Sequence, residues 1–208
     1  NIGHNLHRSP GYFGCQPGSK NVIRIGLALL LFLSLPAAAQ RVPNPMPFND
    51  AQGRAIDAIH VPPRSPVKFS GWIKGPNPVA QFEGARFLLT GTYYYGDSEH
   101  NKGPDFSGSA FIIPDRNTQL PQLTKRLTPR AIVIDNPDRF ADAVVPANVL
   151  RGVRSKGGGY ASGRVAIRVD GFTVGVACDA PSYGTHFQSV FTPAGATVAS
   201  ARPSIGGC

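Results

Sequence analysis

Three cysteines in 208 residues are too few for a disulfide-built scaffold, so the fold must rest on a hydrophobic core. Acidic residues are also scarce, 12 against 21 lysines and arginines. The charges are interspersed, with no run of five or six of one sign, which excludes a charged interaction tail. There is one tryptophan, and no aromatic stripe accompanies the basic segments. That removes the stacking platform single-stranded nucleic acid needs, and no specific nucleic-acid partner is expected. The sequence holds no H-E-x-x-H and no Cys or His cluster at zinc spacing. No metal or cofactor is expected. Nor is there an apolar run of the roughly 20 residues a membrane-spanning helix requires.

A shorter apolar run is present. Lys20 and Arg24 precede Ile25 to Leu35, and Pro36 and Ala37-Ala38-Ala39-Gln40 follow. A basic flank, a short apolar core, a helix breaker and an A-x-A site describe a secretory signal peptide over residues 20–39, with cleavage after Ala39. The expected location is periplasmic or secreted, with no transmembrane segment after cleavage. Residues 1–19 lie ahead of the basic flank, where a signal peptide has no place for them. They read as a non-native extension, with translation starting near Asn21 or Val22.

From Gln40 onward, losing Arg8, Lys20 and Arg24 leaves 18 basic against 12 acidic residues, a formal charge of +6. Such a balance attracts anionic polymers and acidic proteins alike and does not define a fold. With Cys15 removed, Cys178 and Cys208 remain in an oxidising compartment, and a bridge between them would tie down the tail from Ser200. The alternatives are a free, buried Cys178 and a Cys208 in a loose end.

Glycine and proline, 24 and 20 residues, favour short strands and turns over long helices. Residues 40–66 form a proline-rich lead-in, with a short helix expected from Asn49 or Asp50 to His60, carrying Ile56 and Ile59 on one side. Residues 67–208 form a single β-rich domain with a C-terminal tail. Its first strand is Val67–Ile73, ended by Gly75-Pro76-Asn77-Pro78, and Lys74–Glu83 reads as a loop. Arg86–Tyr95 is the longest strand, apolar on both faces. Phe106–Ile113 and Ala131–Ile134 follow. Asn136-Pro137 signals a capped helix that Pro146 can restart toward Leu150.

The strongest local pattern is Arg164 to Cys178. Val165, Ile167 and Val169 face Phe172, Val174 and Val176 across Asp170-Gly171, a dipeptide suited to a type I′ turn. This predicts a hairpin with one buried face, before a further strand over Thr185–Phe191. The expected class is mainly β: a small antiparallel barrel or sandwich with one or two short helices and an OB-like element order, a likeness of layout alone.

Catalytic templates fail on their details. Gly158 to Arg164 lacks the lysine and hydroxyl of a phosphate loop, and Ser162 stands one place late for a G-x-S-x-G elbow. His100 with Asp97, Glu99 and Asp105 reads as a solvated loop. Asp179, Ser182 and His186 read as a loop leaving the hairpin. The candidate binding surface combines Trp72 and Tyr94 with the basic connection carrying Arg151, Arg154 and Lys156. The leading expectation is a non-enzymatic exported module binding an unknown protein or an anionic envelope polymer. The alternatives are a small secreted hydrolase without a recognisable motif, and an inhibitor or effector acting on a partner protein.

Overall fold

Prolines at 43, 45 and 47 fix φ and withhold donors, so the chain from Gln40 can only be extended or an edge strand. The computed structural model describes residues 38–199, apart from 50–52, 54, 97–107, 117, 124–128, 130, 157–158, 178–179 and 193–194. The expected extension and most of the signal segment lie outside the described residues, as do Cys178 and Cys208. Strand β1 (Gln40–Asn49) pairs antiparallel with β2 (Ala55–Val61), and its register breaks between Pro43 and Phe48. The helix expected through His60 is therefore a strand. Ile56 and Ile59 are both buried, as a helical face would require. However, the proline-extended β1 supplies a pairing partner, and His60 exchanges backbone bonds of 2.7 and 2.9 Å with Gln122. Val42, Ile56, Ile59 and Val61 join the same core as the rest of the domain.

The stretch from Lys74 is not all loop. After the Gly-Pro-Asn-Pro break, β4 (Val79–Gly84) turns back on β3 (Val67–Ile73), burying Ala80 and Phe82 while Gln81 and Glu83 face solvent. A bulge between Phe69 and Gly71 switches the faces of β3. Trp72 therefore packs against Phe69, and Ile73 is the exposed residue.

The expected hairpin at Asp170-Gly171 does not form. Tyr160 to Ala177 is one 18-residue strand, β8, and Gly171 sits at φ 61° inside it. The pairing of β8 with β9 (Ala180–Thr192) slips between Asp170 and Thr173, a bulge rather than a reversal. The inward set is nonetheless as expected: Val165, Ile167, Val169, Phe172 and Val174 are buried. A two-residue turn and a one-residue bulge both place 169 and 172 on the same face, so the apolar pattern is common to both. Neighbouring strands decide between them. Strand β5 (Phe87–Gly96) pairs along residues 160–169 of β8, and β4 continues along 172–174.

The path β8–β5–β6–β7–β9 returns to β8 and closes a ring of five strands. It includes β6 (Ser109–Pro114) and β7 (Ile132–Ile134), and only the β7–β9 pairing in it is parallel. In chain order the ring runs strand, strand, strand, helices, strand, strand, the OB-like layout. Its first strand is β5 rather than Val67–Ile73, and the β3–β4 hairpin extends the sheet outside the ring. A three-residue strand, β10 (Thr197–Ala199), pairs with the start of β8. The mainly β class holds, with two short helices, α1 (Pro137–Val144) and α2 (Ala147–Lys156), separated at Val145-Pro146. Phe140 anchors α1 on the barrel through edge contacts with Tyr93 and Phe187 at 5.6 and 5.5 Å. Among the described residues no helix is long and apolar enough to cross a membrane.

Candidate functional site

Alternation along β5 sends Leu89, Tyr93 and Tyr95 into the barrel and leaves Leu88, Thr90, Thr92 and Tyr94 on its outer wall. Across from them on β8 stand Arg168, Ala166, Arg164 and Ser162. Strand β9 adds Ser189 opposite Arg168, and Thr192 opposite Ala166. Phe191 has no cross-strand partner because the register slips between Ala166 and Ile167. It is the extra residue of a bulge, a device that re-aims a side chain. Its ring centroid lies 5.5 Å from the Arg168 guanidinium carbon; Phe191 is 55% exposed, and Leu88, opposite Arg168 on the other side of β8, is 49% exposed.

The two outward arginines of this wall differ. Arg164 holds Asp115 side-on, with Nη1–Oδ1 at 2.7 Å and Nη2–Oδ2 at 2.8 Å. That contact keeps the Asp115 carboxyl below its usual range and the guanidinium above its own. Four residues along the same face, Arg168 has no carboxylate partner among the described residues. Asp170, two positions further, forms no ion pair with it.

The basic connection expected after Leu150 is largely helical. Arg151 and Arg154, on α2, line a shallow depression with Ala147 and Leu150. Arg154 is engaged there. Its Nη2 lies 3.1 Å from Asp142 Oδ1 and 3.5 Å from Asp138 Oδ1, and its Nε donates to Tyr95 Oη at 3.4 Å. Tyr95 in turn donates to Asp138 Oδ1 at 3.0 Å. Burial raises the Tyr95 phenol above its ordinary range, Asp138 adds to this, and Arg154 pulls the other way. This cluster ties both helices to the open end of β5. Lys156 closes α2, and its side chain lies outside the described residues.

Trp72 and Tyr94 are not brought together. Trp72 pairs with Ala80, and Ala80 in turn with Val174, whereas Tyr94 pairs with Ser162, twelve residues away along β8. Tyr94 is half-buried, stacked on Phe111 with centroids 5.2 Å apart. Among the expected surface residues whose side chains are described, Arg151 and Arg154 share a surface, and Trp72 and Tyr94 do not join it. Leu88, Arg168 and Phe191 carry no joint signal in the sequence, because Arg168 and Phe191, 23 positions apart, meet through the β8–β9 register and Leu88 joins through β5.

A second polar group gathers where β7 meets β9. Asn136, expected as a helix cap, makes no side-chain cap bond. Its Oδ1 accepts from Phe187 N at 3.0 Å, and its Nδ2 donates to Phe187 O at 2.9 Å. Nδ2 thus also faces His186 Nε2, at 3.2 Å. Which partner donates in that contact follows the tautomer of the ring. Burial raises the nearby Asp135 carboxyl while His186 opposes the shift. The Asn136 amide holds both backbone groups of Phe187, so the group reads as a clasp between the α1 entry and β9. Asp179 and the His100 loop lie outside the described residues. Among those described, no three His, Cys, Asp or Glu side chains form a metal-holding set.

The fold and the wall together define a class: a five-stranded barrel plugged by two short helices, with an aromatic and cationic outer wall. No protein-family model, curated protein or solved structure matches the chain.

Proposed function

We propose that the protein is an exported, non-enzymatic β-barrel module that binds a protein or an anionic envelope polymer against the outer wall of its barrel. The observation that carries this reading is Arg168, which lies over the exposed Phe191 of β9 and opposite the exposed Leu88 of β5. An arginine with a carboxylate partner is largely neutralised, and Arg164 supplies that case on the same strand. Arg168 keeps its charge for a ligand. Covering Leu88 and Phe191 would release apolar area worth about 1.5–3 kcal/mol for each side chain fully buried. Export rests on the segment from Lys20 to Gln40.

The test is retention of the tagged chain from Gln40 onward on a washed envelope fraction. Wild-type protein should bind and should elute as salt rises toward physiological strength, since exposed charges are screened over about 8–10 Å. Arg168→Glu and Phe191→Ser should each remove most of the retention while the circular dichroism stays that of the parent. Equal retention of both variants would exclude this wall.

A further inference from the structure

We infer that Arg168 is the anchor for a carboxylate side chain of a partner protein, with Phe191 and Leu88 forming an apolar collar around it. This deepens the proposed binding function and rests on it. The barrel wall displays the expected geometry once already, between its own residues. Arg164 and Arg168 project from the same face of the same strand, at cross-strand positions opposite Thr92 and Leu88 of β5. The first receives Asp115 through two parallel bonds of 2.7 and 2.8 Å, the fork arrangement that a planar guanidinium makes with a carboxylate. At the second the fork is vacant of any described carboxylate, and the phenyl ring of Phe191 lies against the guanidinium. Attraction between a cation and a ring face uses no N–H donor, so the aromatic contact leaves the fork's donors available.

Charge complementarity decides what the occupant is. The chain from Gln40 carries a formal +6, which sets a second copy against like charge and favours an acidic partner. The collar decides between the remaining anions. A phosphate or sulfate polymer presents charge without apolar neighbours, whereas Leu88 and Phe191 would remain exposed beside it. An Asp or Glu flanked by apolar side chains covers all three residues at once. Ser189, directly opposite Arg168, and Thr90, two residues beyond Leu88, add hydroxyls at the rim of the patch.

A phage-displayed random dodecapeptide library, panned on the tagged chain from Gln40 onward, tests the inference. Peptides that bind wild type but not Phe191→Ser should be enriched in Asp or Glu next to apolar residues. Synthetic copies should lose at least about tenfold in affinity on Arg168→Glu, and several-fold on Arg168→Lys, which keeps the charge and loses the fork. Binding should also fall as pH drops below the carboxylate range near 4. Peptides that depend on Phe191 but carry no acid enrichment, or that bind Arg168→Lys as tightly as wild type, would overturn the carboxylate anchor while leaving the wall a binding surface. Retention of dextran sulfate in preference to every selected peptide would assign the wall to an anionic polymer instead. Concentration-dependent dimers in light scattering, lost in Arg168→Glu, would assign it to a second copy. No peptide dependent on Phe191 at all, together with equal envelope retention of the variants, would sink both readings.

Discussion

Two arginines of this barrel sit against aromatic rings, and they are used in opposite ways. Arg154 lies 5.9 Å from the Tyr95 centroid at the helical end, and Arg168 lies 5.5 Å from Phe191 on the outer wall. Around Arg154 the chain supplies Asp138, Asp142 and a phenol hydroxyl, so every strong interaction is internal. Around Arg168 the described residues supply the ring and no carboxylate. Stacking alone contributes about 0.5–1 kcal/mol at an exposed site. The difference lies in what completes each cation. One is closed by its own fold and acts in stability, and the other is left open toward solvent.

If the helical end is a structural plug, its largest energetic dependence is the side chain that seats it. Phe140 is fully buried, in edge contact with Tyr93 and Phe187. Phe140→Ala should cost about 3–5 kcal/mol, the usual range for removing a buried aromatic ring. Leu88→Ala on the wall should cost far less, because that residue is already 49% exposed. Chemical denaturation of both variants measures the gap, and similar midpoints would erase the distinction between plug and wall.

Alkali offers a second way to sharpen it. Burial raises the phenols of Tyr93, beneath α1, and Tyr183, on β9, to about 12 from the ordinary value of 10.0. The folded state therefore favours the protonated phenols. That contribution is complete below pH 10 and is lost as pH rises toward 12. Phenolate absorbance should show these two tyrosines ionising only as the fold opens. Smooth titration of all the phenols with the circular dichroism unchanged would contradict their burial. Tyr93 adds an internal check, since its buried hydroxyl has no hydrogen-bond partner among the described residues. Replacing it with Phe should be neutral or mildly stabilising, because an unsatisfied donor is removed.

Much of the interior was legible in the sequence and little of the site was. The inward residues of β5 and β8 follow from period-two alternation, and they are buried as that pattern requires. Asp170-Gly171 suits a turn and a bulge equally, because both impose the same parity and both accept a positive φ at Gly171. What separates them is the presence of β4 and β5 along one edge of β8, a long-range fact. The β4 alternation of Ala80 and Phe82 was visible, but it was overshadowed by the Gly-Pro-Asn-Pro break ahead of it. Ile56 and Ile59, three apart, suggested a helix, and the extended β1 made them a strand. Asn136 carries a capping signal, but its amide pairs instead with Phe187, 51 residues on. The wall depends on two register slips between β8 and β9, and no local pattern announces a slip.

The smallest expected effects come from exchanging the two arginines for alanine, and they test the opening comparison most directly. Arg154→Ala removes a cation shared by two carboxylates and a phenol, leaving Asp138 and Asp142 to repel across the α1 face. These groups are partly solvated, with the Arg154 side chain 36% exposed, so the cost is that of a screened network, about 1 kcal/mol. It should shrink at high salt, where the residual acidic repulsion is also screened. Arg168→Ala removes an exposed stack and should lie within about 0.5 kcal/mol of wild type at any salt. In envelope retention the order should invert: Arg154→Ala should bind as the parent does, and Arg168→Ala should bind least. Urea midpoints at low and high salt, set beside retention of the same two variants, supply the comparison. If Arg168→Ala proved the more destabilising and the better binder, the roles assigned to the two cations would have to be exchanged.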